Sequence, residues 1–242
     1  MFGVFYTPQT IHGVVTTQAV TQEQSIQLPD YQDVYQQWIE DGYEEINHNQ
    51  TIYPELFTFE TSTLTTRDDV LVLSWKTFDT LSVDVYVENE GLYGLSLDYV
   101  STTTSIKPIK VSVQINDMIQ YIEASRFSLE TRWTQDEDIS KDRFGNDIVP
   151  TSYQLYERQT FLFHDNVGLY DNPLLFYLKQ GSNTLDFELL DGTLDVFNIS
   201  LTPIEDIISY EDYLETHGNA YGQDFIDIEA EHITFKNSPS IR

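Results

Sequence analysis

Leu81-Ser82-Val83-Asp84-Val85-Tyr86-Val87 is the stretch on which the fold class turns. Leu81, Val83, Val85 and Val87 alternate with Ser82, Asp84 and Tyr86. Successive side chains of an extended chain point to opposite faces, so a period of two marks a strand that is dry on one side and wet on the other. The turn formers Glu88-Asn89-Glu90-Gly91 follow, and the period resumes in Tyr93, Leu95, Leu97 and Tyr99. Ile109, Val111, Val113 and Ile115 repeat it, as do Leu185, Phe187 and Leu189. Denser apolar runs at Val70 to Trp75, Thr160 to Phe163 and Leu174 to Leu178 suit strands buried more deeply. Asn116-Asp117 reads as a two-residue hairpin connection between Ile115 and Met118, and Gln180-Gly181-Ser182-Asn183 as a second turn. Roughly eight strands separated by turns, with no strand–helix alternation, predict an all-β antiparallel sandwich.

Composition narrows the function. The chain has 242 residues, enough for one domain with appendages or two small ones. Its 12 Lys and Arg against 40 Asp and Glu give a formal charge of −28, a field that repels nucleic acid and anionic membrane surfaces. With 40% hydrophobic and 14% aromatic residues the chain can bury a core, unlike an acidic disordered tail. Cysteine is absent, which removes disulfides, thiolate metal sites and cysteine nucleophiles together. No apolar run approaches the roughly 20 residues that a membrane span needs, so no membrane insertion is expected of this stretch. The start, Met1 to Tyr6, is apolar, but the first positive side chain is Arg67, so it does not read as a whole signal peptide. It reads either as a segment just downstream of a missing anchor or as an extended arm.

The flanks are helical in pattern. Asp30 and Ser209 are N-cap residues, each with an acidic residue three positions on, Asp33 and Asp212. Aligning Tyr31 with Tyr210 gives an offset of 210 − 31 = 179 residues, and both helices continue into a glycine and then an aromatic residue. The expected division is an N-terminal arm and connector helix over 1–52, the sandwich over 53–207, and a second connector with the start of a further repeat over 208–242.

Residues 123–150 are the least regular part. Thr134 to Pro150 has little periodicity and many turn formers, which predicts a long loop of the kind that carries function. Arg132 beside Trp133, with Asn146 and Asp147 nearby, suits sugar recognition: an indole covers the C–H face of a pyranose while polar groups bind its hydroxyls. Trp133 has a second reading, as a core residue. Asp136, Asp138 and Asp142 offer the oxygen ligands that calcium prefers, without the order of an EF-hand, so a structural Ca²⁺ is the one cofactor considered. The five histidines lack zinc-ligand spacing, and phosphate loops, nucleophile elbows and nucleotide fingerprints are absent.

Several of these stretches resemble a known pattern. Glu123-Ala124, Arg132-Trp133, Asp142-x-x-Gly145-Asn146-Asp147-x-x-Pro150, Leu174 to Leu185, Ser209 to Tyr213 and Ile228-Glu229-Ala230-Glu231 with Lys236-x-Ser238-Pro239 are similar to large extracellular solute-binding proteins of Gram-positive bacteria. Those proteins carry galactose-binding-like sandwiches ahead of an ABC-transporter sugar-binding domain. The resemblance spans about residues 30–242 and implies a jelly-roll of the carbohydrate-binding-module kind, with short flanking helices, at the cell surface. It also implies that a tyrosine of Thr151 to Arg158 stands where the family has a tryptophan, which adds Tyr153 and Tyr156 to the candidate set. The function expected is therefore a non-catalytic, extracellular carbohydrate-binding module, joined to neighbouring domains of a longer polypeptide. A spacer domain that binds no sugar and a hydrolase with two carboxylates in a cleft are the rivals.

Overall fold

Each period-two stretch forms a strand, and the parity of its residues decides which side chains enter the core. The computed structural model of the chain describes residues 28–135, 140–203 and 214–215. In chain order the elements are a helix α1 (Tyr31–Glu40), then strands β1 (Gln50–Ile52), β2 (Thr63–Arg67), β3 (Val70–Trp75), β4 (Thr80–Val87), β5 (Gly91–Ser101) and β6 (Ile109–Ile115). They continue with β7 (Phe127–Leu129), β8 (Arg132–Gln135), β9 (Ser152–Leu155), β10 (Arg158–Leu162), β11 (Leu175–Leu178), β12 (Gly181–Asp191) and β13 (Leu194–Thr202), with 3-10 turns at Pro54–Leu56 and Ile122–Ser125. The expected second helix, Ser209 to Gly218, and the motif at 228–239 lie outside the described residues apart from Leu214 and Glu215, which are helical.

One sheet runs β10-β5-β13-β3-β2, with β11 also on β5 and β1 also on β13; the other runs β4-β12-β6-β7; every pairing between these strands is antiparallel. The chain crosses between sheets from β3 to β4, β4 to β5, β5 to β6, β11 to β12 and β12 to β13, which makes the fold an antiparallel jelly-roll β-sandwich with a short flanking helix. The inward residues of both sheets share one core: Val83 and Val85 of β4, Leu95 and Leu97 of β5, Val111 and Val113 of β6, Leu185 and Phe187 of β12. Phe127, Phe163, Phe176 and Phe187 interlock within it, with ring centroids 5.0 Å apart for Phe127 and Phe163 and 5.9 Å for Phe163 and Phe187.

The strands outnumber the eight expected because several carry no period-two signal. β1 and β7 are three residues long, β8 and β9 flank the irregular stretch, and β13 is buried along almost its whole length and so shows no alternation. β2 is an exposed edge strand whose Thr-rich sequence has no apolar period to betray it. The turns follow their chemistry: Asn116 and Asp117 have φ of 52° and 65°, the left-handed pair that a two-residue type I′ connection needs. The reversal expected over Gln180 to Asn183 is shorter, because Gly181 and Asn183 already pair with Val87 and Val85. Asn183 closes it from within the strand, accepting from the Lys179 amide and donating to the Lys179 carbonyl.

α1 belongs to the packed body. Asp30 Oδ1 accepts from the Asp33 amide at 2.9 Å, the capping interaction that its sequence predicts. The Tyr31 amide, a helix donor without a partner in the helix, donates to Glu123 Oε2 at 3.0 Å. Tyr31 lies in the core and its hydroxyl accepts from the Leu175 amide at 3.1 Å. The segment after the helix then runs beside the start of β5, where the Leu92 amide donates to the Glu44 carbonyl and the Ile46 amide to the Leu92 carbonyl. Gly91 permits that approach: a Cβ there would stand 2.6 Å from Ile46 Cγ1 and 2.7 Å from the Glu44 carbonyl.

Candidate functional site

The candidates taken from the irregular stretch fall on a ribbon formed by β8 and β9. Register places Arg132 opposite Leu155, Trp133 opposite Gln154 and Thr134 opposite Tyr153. Alternation then sends Trp133 and Gln154 to one face, and Arg132 and Tyr153 to the other. Trp133 is only 7% exposed, and its indole N–H donates to Thr131 Oγ1 at 2.8 Å, while Gln154 Nε2 donates to Ser101 Oγ at the end of β5. Of the two readings of Trp133, its burial is that of a core residue. Arg132 Nη1 lies 3.6 Å from Glu157 Oε2, and Tyr153 and Tyr156 are half exposed.

Asn146 and Asp147 belong to a hairpin tip that satisfies itself. Asp142 Oδ1 accepts from the amides of Phe144 and Asn146, and Asp142 Oδ2 accepts from Asn146 Nδ2 at 3.0 Å. Lys141 pairs with Asp147 at 3.3 Å, and Gly145 takes a φ of 85° to close the turn. The hydrogen bonds from Asn146 hold the Asp142 carboxyl below its ordinary range. The Asp-x-x-Gly-Asn-Asp pattern thus shapes its own loop. Asp136 and Asp138 lie outside the described residues, and among the described residues no three His, Cys, Asp or Glu side chains gather as a metal-ion cluster.

A hollow of about 530 Å³ opens elsewhere, between α1 and the segment 163–174. Tyr31, Tyr35 and Tyr170 line it: Tyr31 and Tyr35 have centroids 5.6 Å apart with planes inclined at 28°, and Tyr170 meets Tyr31 edge-on at 5.1 Å. Helical spacing of four puts the first two rings on one face of α1. Tyr170 is delivered by Asp165, which is buried and accepts from the amides of Val167, Leu169 and Tyr170, tying the loop around one carboxylate. Asn166 fastens that loop to the opposite sheet, accepting from the Ser128 amide and donating to the Arg126 carbonyl. The pairing of residues 44–46 with β5 brings Glu45 to the hollow, where it accepts from the Tyr35 hydroxyl at 3.0 Å.

Glu45, Asp171, Asn172, Gln32 and Gln36 supply the polar groups of the hollow, and among the described residues no Lys or Arg lines it. Burial, then the bond to Glu45, pushes the Tyr35 phenol up; burial and the Glu123 charge do the same for Tyr170. The rings are therefore neutral near pH 7. Tyr35 and Tyr170, partly exposed and backed by buried Tyr31, offer aromatic surface beside carboxylate and amide groups, which complements the mixed C–H and hydroxyl surface of an uncharged sugar.

Tyr31 and Tyr35 carried a visible signal in their spacing, whereas Tyr170 and Glu45 reach the hollow only through packing. No protein-family model matches the chain, and neither does any curated protein. Among solved structures it is similar to a family 35 carbohydrate-binding module from Clostridium thermocellum, at 13% identity over 63% of this chain and 96% of that one, with a TM-score of 0.38. It is also similar to the C-terminal CBM6 of a marine laminarinase from Zobellia galactanivorans, at 9% identity over 64% of this chain and 99% of that one, with a TM-score of 0.42. A GH26-CBM35 β-(1,4)-mannanase from Podospora anserina is a third, at 13% identity, a TM-score of 0.39, and 65% of this chain against 28% of the enzyme.

Proposed function

We propose that this chain is a non-catalytic carbohydrate-binding module of the cell surface, and that it holds an uncharged saccharide in the hollow between α1 and the segment 163–174. The observation that carries the reading is the pair of partly exposed tyrosine rings, Tyr35 and Tyr170, held against buried Tyr31 around about 530 Å³ with carboxylate and amide groups and, among the described residues, no Lys or Arg. That volume suits a mono- or disaccharide, since small-molecule sites commonly span about 300–1,000 Å³. The likeness of Tyr31-Gln32-Asp33 to Tyr210-Glu211-Asp212, with the resemblance to solute-binding proteins, supports a place within a longer surface polypeptide.

Affinity electrophoresis on a panel of neutral polysaccharides, followed by calorimetry with the best oligosaccharide, tests the reading. Tyr35→Ala and Tyr170→Ala should each weaken binding roughly tenfold or more, about 1.4 kcal/mol. The exposed ribbon pair Tyr153→Ala/Tyr156→Ala should change it little. Loss of binding from the ribbon pair alone would move the site to the β8–β9 ribbon with Arg132. Failure to bind any saccharide would leave the spacer reading, and preference for tetramethylammonium over sugars would recast the rings as a cation cage.

A further inference from the structure

In so acidic a chain, with 12 Lys and Arg against 40 Asp and Glu, most cations should find a carboxylate. Arg67, Arg132, Lys141 and Arg158 do, pairing with Asp195, Glu157, Asp147 and Asp98. Among the described residues Lys76, Lys107, Lys110, Arg126, Arg143 and Lys179 do not, and three of these, Lys107, Lys110 and Arg126, gather at a separate hollow of about 240 Å³, completed by Pro108, Leu190 and Asp191. None of the three forms an ion pair with a described residue.

We propose that Lys107, Lys110 and Arg126 form a second binding site, for a compact oxyanion such as a phosphate or a carboxylate group. Their convergence is built by the fold. Lys110 lies between Ile109 and Val111, both fully buried, so alternation turns it to the outer face of β6. Pairing of β6 with β7 sets Lys110 opposite Ser128, whose hydroxyl accepts from the Lys110 ammonium. Arg126 precedes that strand, with its carbonyl fixed by Asn166 Nδ2 at 2.7 Å and its amide donating to the Glu123 carbonyl. Lys107 enters from the connection between β5 and β6. Burial and the neighbouring Arg126 charge push the Lys110 ammonium down, a like-charge cost that a bound anion would remove.

Charge sets the ligand class. Three cations face the single carboxylate of Asp191, an excess that matches a phosphate, which carries about −1.5 to −2 near neutral pH. One guanidinium fork and two ammonium points suit tetrahedral or planar oxyanions. The −28 field of the whole chain opposes a polyanion. The occupant is therefore a small anion, or one acidic substituent on an otherwise neutral molecule.

Calorimetric titration of the full chain at constant ionic strength, with inorganic phosphate, sodium glucuronate and glucose, tests this. Saturable one-to-one binding of phosphate or glucuronate, but not of glucose at this site, is expected, and whichever anion binds tighter identifies the group. The exposed double variant Lys107→Gln/Arg126→Gln should weaken that anion roughly tenfold or more. It should leave neutral-saccharide binding untouched, since neither residue lines the tyrosine hollow. Absence of saturable binding by both anions, or equal affinity in the double variant, overturns the proposal and leaves the carbohydrate reading standing.

Discussion

Single carboxylates do much of the local organisation, and their chemistry has a pH signature. Asp79, 2% exposed, accepts from the amides of Glu60, Thr61 and Ser62, the last at 2.6 Å. Burial pushes its carboxyl up, but the Ser62, Glu60 and Thr61 donors outweigh burial and leave it below the ordinary 3.8. A depressed folded pKa contributes stability that is whole above the unfolded value and is lost as pH falls through the folded value. Asp79→Asn should therefore cost about 1–3 kcal/mol at neutral pH, with the deficit shrinking as the medium is acidified below 3.8. Urea midpoints of both proteins at neutral pH and at about pH 3 measure it, and a deficit independent of pH would contradict it. The sequence showed Asp79 only as one of 40 acidic residues. Nothing local distinguishes a carboxylate that gathers three amides from one that faces water.

Among elements, α1 is the one whose role changed most. Its cap at Asp30 and its end near Gly42 were legible, because both are set by chain-local hydrogen bonding and dihedral preference. Its docking was not, since Glu123 and Leu175 are 92 and 144 residues away from Tyr31. Tyr31 and Tyr35 stand one turn apart and should separate stability from binding. Tyr31→Ala removes a ring that is 6% exposed and should cost about 3–5 kcal/mol in thermal or denaturant unfolding. Tyr35→Ala, at a partly exposed ring, should cost less than about 1 kcal/mol while weakening saccharide binding. Equal destabilisation by both would mean that α1 contributes packing alone. The β8–β9 ribbon teaches the converse. Its Arg-Trp pair was visible as a pair, yet which member faces out depends on register against β9, and the indole is the member turned inward.

At the level of the whole molecule, the charge of −28 acts against compactness. Screening shortens the reach of that repulsion from about 10 Å at 0.1 M salt to about 3 Å at 1 M. The melting temperature should therefore rise by several degrees between low salt and about 0.5 M sodium chloride with a chelator present, and an unchanged or falling value would show that paired charges dominate. The sequence by itself determined the alternation that makes the strands and assigns their buried faces, the capped helix and the sign of the field. These depend on backbone period and composition, which are local or additive. Only the tertiary structure decided that Tyr31, Tyr35, Glu45 and Tyr170 share one hollow and that Lys107, Lys110 and Arg126 share another. Those groupings depend on which strand edges pair and how the helix docks, and residues far apart in the chain meet there with no shared period to announce it.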